Sequence, residues 1–260
     1  MTNSVGSSLG ITIKSEREID FMRKSGIITN NVKRLLREKI KVGMTTSDID
    51  SIAENQIRAE GAIPAFKGLY GFPATVCTSI NEEIVHGIPS NRILLNGDIL
   101  SIDVGTIVEG YYSDSAFTVG IGSVKQKSID LINTTYDSLK VGIKKVKHGA
   151  RIGDISSAIQ QFAENSGYSV VREYVGHGIG RVLHEDPQIP NFGFSGKGPL
   201  LYTGMTIAIE PMLNIGGWQT VQKEDGWTVV TSDGSLSAHF EDTVLVTDCG
   251  FEVLTNDEIS

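Results

Sequence analysis

Four carboxylates and a few histidines carry most of the chemistry this chain could perform. Asp103 lies in SIDVG, Asp114 in YYSDSAFTV, Glu210 in AIEPM and Glu241 in HFEDTVLV. There are five histidines, His86, His148, His177, His184 and His239, and His177 and His184 stand seven positions apart among glycines and prolines. Two unit charges about 4 Å apart repel by about 4 kcal/mol at an effective dielectric near 20. Four carboxylates in one pocket therefore either hold protons at raised pKa or bind cations. Two divalent ions would cancel their charge, and an oxygen-rich site with one imidazole suits Mn²⁺, Fe²⁺ or Co²⁺ at least as well as Zn²⁺. The run Gly176-His177-Gly178-Ile179-Gly180 looks like a phosphate-binding loop. That fingerprint needs an acidic residue about 20 positions later, where Gly198 stands. The glycines are expected instead to let the backbone crowd a metal or substrate.

For these groups to meet, the elements that carry them must repeat. A capping-box pattern at Ser15 and Glu18 opens a helix on which Ile28, Val32, Leu35 and Leu36 keep helical spacing. A second helical segment, KVGMTTSDIDSIAENQIRAEGA, stops at Gly61. Short branched runs then predict strands over 74–80, 98–104 and 111–119. The second half follows the same plan. KHGARIGDISSAIQQFAENSGY matches the earlier helix in register, and NGDILSID lines up with TGMTIAIE, which makes Asp103 and Glu210 equivalent. Asp114 and Glu241 form a weaker pair of the same kind. Duplicated halves that pack about a pseudo-two-fold axis would bring all four carboxylates to the centre.

The chain has 260 residues, is 40% hydrophobic and carries a net charge of −8. It can bury a large core, and its charge disfavours a surface dedicated to nucleic acid. No apolar run approaches the roughly 20 residues that cross a bilayer. Residues 1–13 read as a disordered lead-in without signal-peptide character, and 14–260 as one catalytic domain with halves over about 14–122 and 123–260. Cys77 and Cys249 lack metal-finger spacing, so reduced thiols in the cytoplasm are expected. The basic clusters Lys33-Arg34-Arg37-Lys39-Lys41 and Lys144-Lys145-Lys147 are expected to be solvated helix faces.

Taken together, VCTSINEEIVHGIP, GDILSIDVG, YYSDSAFTVG, GHGIGRVLHEDPQIPNFG, AIEPM and DGWTVVT resemble type I methionine aminopeptidase. The similarity runs from about Lys14 to Leu254. It implies an α+β pita-bread fold, two pseudo-symmetric halves around a curved antiparallel sheet. It also implies two divalent ions (Co²⁺, Mn²⁺, Fe²⁺, Zn²⁺ or Ni²⁺) on Asp103, Asp114, His177, Glu210 and Glu241. By the same resemblance His86 and His184 contact substrate, and Phe66, Leu69, Phe72, Cys77, Leu183 and Trp227 surround the methionine side chain. Such a set suits a flexible thioether. Leu69 and Leu183 stand where relatives commonly have aromatics, and His239 and Asp242 replace the usual Gln and His.

The implied reaction is two-metal hydrolysis of the first peptide bond, with Glu210 as general base, His184 on the scissile carbonyl and His86 near the departing nitrogen. The implied partners are nascent chains that begin with Met and have a small second residue, with transient ribosome contact. No membrane or specific nucleic acid is expected, and the chain is expected to be a monomer. Proline-directed peptidases share the fold but normally carry an extra N-terminal domain. Non-catalytic modules of the fold lose ligands that this chain keeps. A dinuclear phosphoesterase would want Arg or Lys beside its acidic motifs, and no such cluster is evident.

Overall fold

The computed structural model describes residues 10–256. The expected lead-in lies outside the described residues as far as residue 9. From Gly10 onward the chain packs: Ile11 is buried, and the Lys14 amide donates to Gly204 O at 2.8 Å. Four α-helices are described, α1 (Glu16–Lys39), α2 (Thr46–Ala59), α3 (Gln126–Ile143) and α4 (Ile152–Asn165). The first strands are β1 (Ile63–Pro64), β2 (Val76–Ile80), β3 (Glu83–Val85), β4 (Ile99–Val108) and β5 (Tyr111–Gly120). After α4 come β6 (Ser169–Val170), β7 (Gly176–Gly178), β8 (Glu185–Ile189), β9 (Thr206–Ile209) and β10 (Met212–Asn214). The last are β11 (Thr220–Gln222), β12 (Val229–Thr231), β13 (Ser237–His239), β14 (Glu241–Thr247) and β15 (Gly250–Val253).

The expected capping box forms at the start of α1, where Ser15 N and Oγ both donate to Glu18 Oε2 at 2.8 Å. Thr45 and Asp48 repeat it at α2. Gly61, at φ 77°, follows α2 in the left-handed conformation that suits glycine after a helix. α2 and α4, the helices matched by the repeat, are each 14 residues long.

The main sheet is antiparallel and runs β1-β4-β5-β14-β9-β7-β8, with β2 beside β4 and β15 beside β14. Side chains alternate between its faces. Leu100, Ile102 and Val104 of β4 are fully buried in one cluster with Val32 and Leu36 of α1, Ile49 and Ile57 of α2, and Ile155 and Ile159 of α4. Burying a Leu or Ile side chain stabilises by about 1.5–3 kcal/mol, so this layer fixes which face the helices cover. Asp103 sits between Ile102 and Val104 and must point the other way. A small sheet, β13-β10-β6, flanks the first.

One expectation about α1 is overturned. Lys33 is 3% exposed, not solvated, because Ser25, Thr29 and Lys33 form an i, i+4, i+8 row buried against the sheet. Its ammonium donates to Ser115 Oγ at 2.8 Å and to Thr255 O at 2.9 Å, and lies 3.5 Å from Asp242 Oδ1. Arg37, one turn on, stacks over the Phe117 ring at 4.4 Å. Lys144, Lys145 and Lys147 are exposed as expected.

Candidate metal centre and substrate pocket

Strand register explains how the acidic groups meet. Cys77 pairs with Asp103 across β2 and β4, Asp103 with Ala116 across β4 and β5, and Ala116 with Glu241 across β5 and β14. Directly paired residues share a face, as do residues two apart on a strand. Asp114 therefore lies with Ala116 on the face of Asp103 and Glu241. On the far side Asp242 pairs with Ile209, and His177 pairs with Ala208. Glu210, just past the end of β9 and two residues from Ala208, joins the same face. All five expected ligands thus point away from the helices.

Donor atoms of Asp114, His177 and Glu241 lie within 4.8 Å of one another, as do those of Glu210, His239 and Glu241. Glu210 is bracketed by two imidazoles, with Oε1 3.7 Å from His177 Nε2 and Oε2 3.8 Å from His239 Nε2. His177 Nδ1 lies 2.8 Å from Gly178 O. A proton on Nδ1 leaves the Nε2 lone pair free to bind a metal. The backbones beneath are pinned. Thr243 Oγ1 accepts from Asp114 N and donates to Asp114 O, at 2.9 and 2.8 Å. Ser115 Oγ donates to Glu241 O at 2.6 Å, and Asn191 Nδ2 to Glu210 O at 2.9 Å.

The electrostatics are those of a crowded acidic pocket. Burial raises the Asp103 carboxyl to about 7. Burial and then the Asp103 charge push Asp114 and Glu210 well above the usual range, and burial with Asp114, Glu210 and Asp103 does the same to Glu241. Burial lowers the imidazoles, to about 4 for His86 and His177 and about 3 for His239. Asp103 Oδ1, Asp114 Oδ1, Glu241 Oε1 and His239 Nε2 are buried without a hydrogen-bond partner. Buried polar atoms are normally satisfied. Orphaned carboxylate oxygens beside unprotonated imidazoles are the donor set a divalent ion requires.

A cavity of ≈ 180 Å³ opens on this cluster. The expected pocket residues Phe66, Leu69, Phe72, Cys77, Leu183 and Trp227 line it, with His86, His184 and the five ligands. Trp227 meets Phe72 edge-on at 5.1 Å, and the His184 ring lies 4.5 Å from that of His177. Lys33 and Asp242 lie behind the sheet, and among the described residues no Lys or Arg lines the cavity. Sequence reasoning missed Tyr70, which also lines the cavity and stacks on His184 at 6.2 Å. Its signal was an aromatic between Gly68 and Gly71, both at positive φ, in a tight turn. His148 stands apart, against Thr203. The glycines beside His177 answer to the sheet itself. A Cβ on Gly176 would fall 2.3 Å from Ala208 O, and one on Gly178 2.2 Å from Asp186 O. Both admit the close approach of the neighbouring strands β8 and β9.

A family model for metallopeptidase family M24 matches residues 20–248. The chain belongs to that family. Within it, the chain is 51% identical over 245 residues to a methionine aminopeptidase of Clostridium perfringens, covering 94% of this chain and 98% of that one. It is 49% identical over 245 residues to methionine aminopeptidase 1 of Bacillus subtilis, covering 94% and 99%. The crystal structure of methionine aminopeptidase from Rickettsia prowazekii superposes with a TM-score of 0.93 at 44% identity, over 95% of this chain and 100% of that one. A prolidase from Pyrococcus furiosus shares the fold at TM-score 0.76 and 24% identity, and this chain spans 66% of it. This M24 chain therefore has the pita-bread fold expected from its motifs, and its family's chemistry is metal-dependent.

Proposed function

We propose that this M24 peptidase removes the initiator methionine from proteins with a small second residue, by hydrolysis at a centre of two divalent ions. One juxtaposition carries the reading: five metal donors and an apolar, sulfur-tolerant pocket form the walls of one cavity. Asp103, Asp114, His177, Glu210 and Glu241 would hold the ions, and their mixed oxygen and nitrogen set accepts Mn²⁺, Fe²⁺, Co²⁺, Ni²⁺ or Zn²⁺. Bound there, such ions supply Lewis acidity and a water nucleophile at neutral pH.

The protein's own groups divide the remaining work. Phe66, Leu69, Phe72, Cys77, Leu183 and Trp227 bind the methionine side chain and exclude water. Glu210 accepts the proton of the attacking water. His184 donates to the scissile carbonyl oxygen as negative charge develops there. His86 steadies the departing nitrogen. The natural substrates are nascent chains beginning with Met, met in the cytoplasm by a monomer that touches the ribosome transiently.

The deciding assay follows release of methionine from Met-Ala-Ser before and after EDTA, with single ions added back. Loss on stripping and recovery with an ion are expected, and turnover that survives complete metal removal ends the proposal. A panel of Met-Ala, Met-Gly, Leu-Ala and Ala-Pro peptides tests the specificity. Preference for Ala-Pro would move the chain to the proline-directed peptidases.

A further inference from the structure

His239 reaches the centre from outside the sheet that carries the other ligands. It ends β13, which among the described residues pairs with β10 alone, Met212 lying opposite His239. Its amide donates to Thr118 Oγ1 at 2.9 Å and its carbonyl accepts from the same hydroxyl at 2.8 Å, which fixes the backbone. The residue is 1% exposed, and its Nε2 has no hydrogen-bond partner. That atom faces Glu210 Oε2 at 3.8 Å. The separation is too long for a hydrogen bond. It is shorter than the about 4.2 Å that two ligand bonds of about 2.1 Å span in line. Glu241 completes the group, the three donor atoms lying within 4.8 Å of one another.

A structural histidine in a core would satisfy its second nitrogen with a backbone carbonyl or hydroxyl. This one aims it at carboxylate oxygens, an arrangement that a cation between them satisfies. We propose that His239 is a sixth protein ligand, giving an ion held by Glu210 and Glu241 its own imidazole on the side opposite His177. The inference rests on the dinuclear reading above. A second nitrogen donor shifts the centre's preference from oxygen-favouring Mn²⁺ towards Co²⁺ and Zn²⁺.

X-ray absorption of the full chain loaded with Co²⁺ or Zn²⁺ counts imidazoles by their scattering, and titration calorimetry gives affinities. Wild type is expected to show two coordinated imidazoles per ion pair, and His239→Gln one. The variant should lose about 10-fold or more in Zn²⁺ affinity, and less in Mn²⁺ affinity. Two bound ions sharing a single imidazole in wild type would overturn the assignment of His239 while leaving the dinuclear centre intact. So would His239→Gln keeping both imidazoles and its Zn²⁺ affinity. Wild type that binds no ion would remove both. The wild-type imidazole count stands even if the variant folds poorly.

Discussion

Glu210 is given two tasks, holding a cation and accepting a proton, and a single substitution separates them. Glu210→Gln keeps the shape and one carbonyl donor but removes the basic oxygen. Its turnover of Met-Ala-Ser should fall about 10²–10⁴-fold, the usual contribution of a positioned general base, with secondary structure unchanged. Near-normal turnover, with metal content verified by elemental analysis, would take the base role away from Glu210. The residue lent itself to assignment from sequence because AIEPM repeats the phase of SIDVG, so two carboxylates announced each other. His239 was harder to place. A lone histidine before an aromatic says little by itself, and its meaning came from a second sheet brought alongside Glu210.

At the level of elements, the triplet Ser113-Asp114-Ser115 shows how one strand serves two masters. Alternation sends Asp114 to the cavity and the two serines to α1, where Ser25, Thr29 and Lys33 meet them. Lys33 carries the ionic part of that contact, 3.5 Å from Asp242. Replacing it by Met leaves the half-buried Asp242 with hydroxyl donors from Ser115 and Thr255 and the charge of Arg37. Lys33→Met should therefore lose about 1–3 kcal/mol in urea denaturation. Adding Asp242→Asn should recover part of it, and a loss no smaller in the double variant would show that the pair is not the cause. Apolar periodicity located α1 and α2 in the sequence but was blind to this polar row, because hydroxyls and a lysine at i, i+4, i+8 read as a solvated face until a strand of serines is set against them. The Gly178 contact is equally invisible in one dimension. Gly178→Ala drives a methyl to within 2.2 Å of Asp186 O. The overpacking should cost about 1–3 kcal/mol and disturb His177, so metal affinity should fall with thermal stability. Unchanged affinity would mean that β7 absorbs the methyl without moving its histidine.

For the whole molecule, the centre joins carboxylates from both halves of the sheet, and without metal their repulsion is borne by the fold. The Asp103 carboxyl is raised from 3.8 to about 7, and Asp114, Glu210 and Glu241 are raised as well. Across that window the folded metal-free protein keeps protons that the unfolded chain has released, so these groups make stability fall as pH rises. His86, His177 and His239 act in the opposite sense. Their pKa values are lowered from 6.5 to about 4, 4 and 3, so their contribution grows with pH through that range and is complete above the unfolded value. The two sets oppose each other up to about pH 6.5. Beyond it the imidazole contribution is complete while the carboxylates still change, and the melting temperature of stripped protein should drop between about pH 6.5 and pH 8. Metal binding requires the same deprotonations, so its affinity rises over this interval. The loaded protein should therefore resist the drop, and the gap between loaded and stripped melting temperatures should widen. A gap that narrows on going from pH 6.5 to pH 8 would show that the four carboxylates do not share one charged pocket.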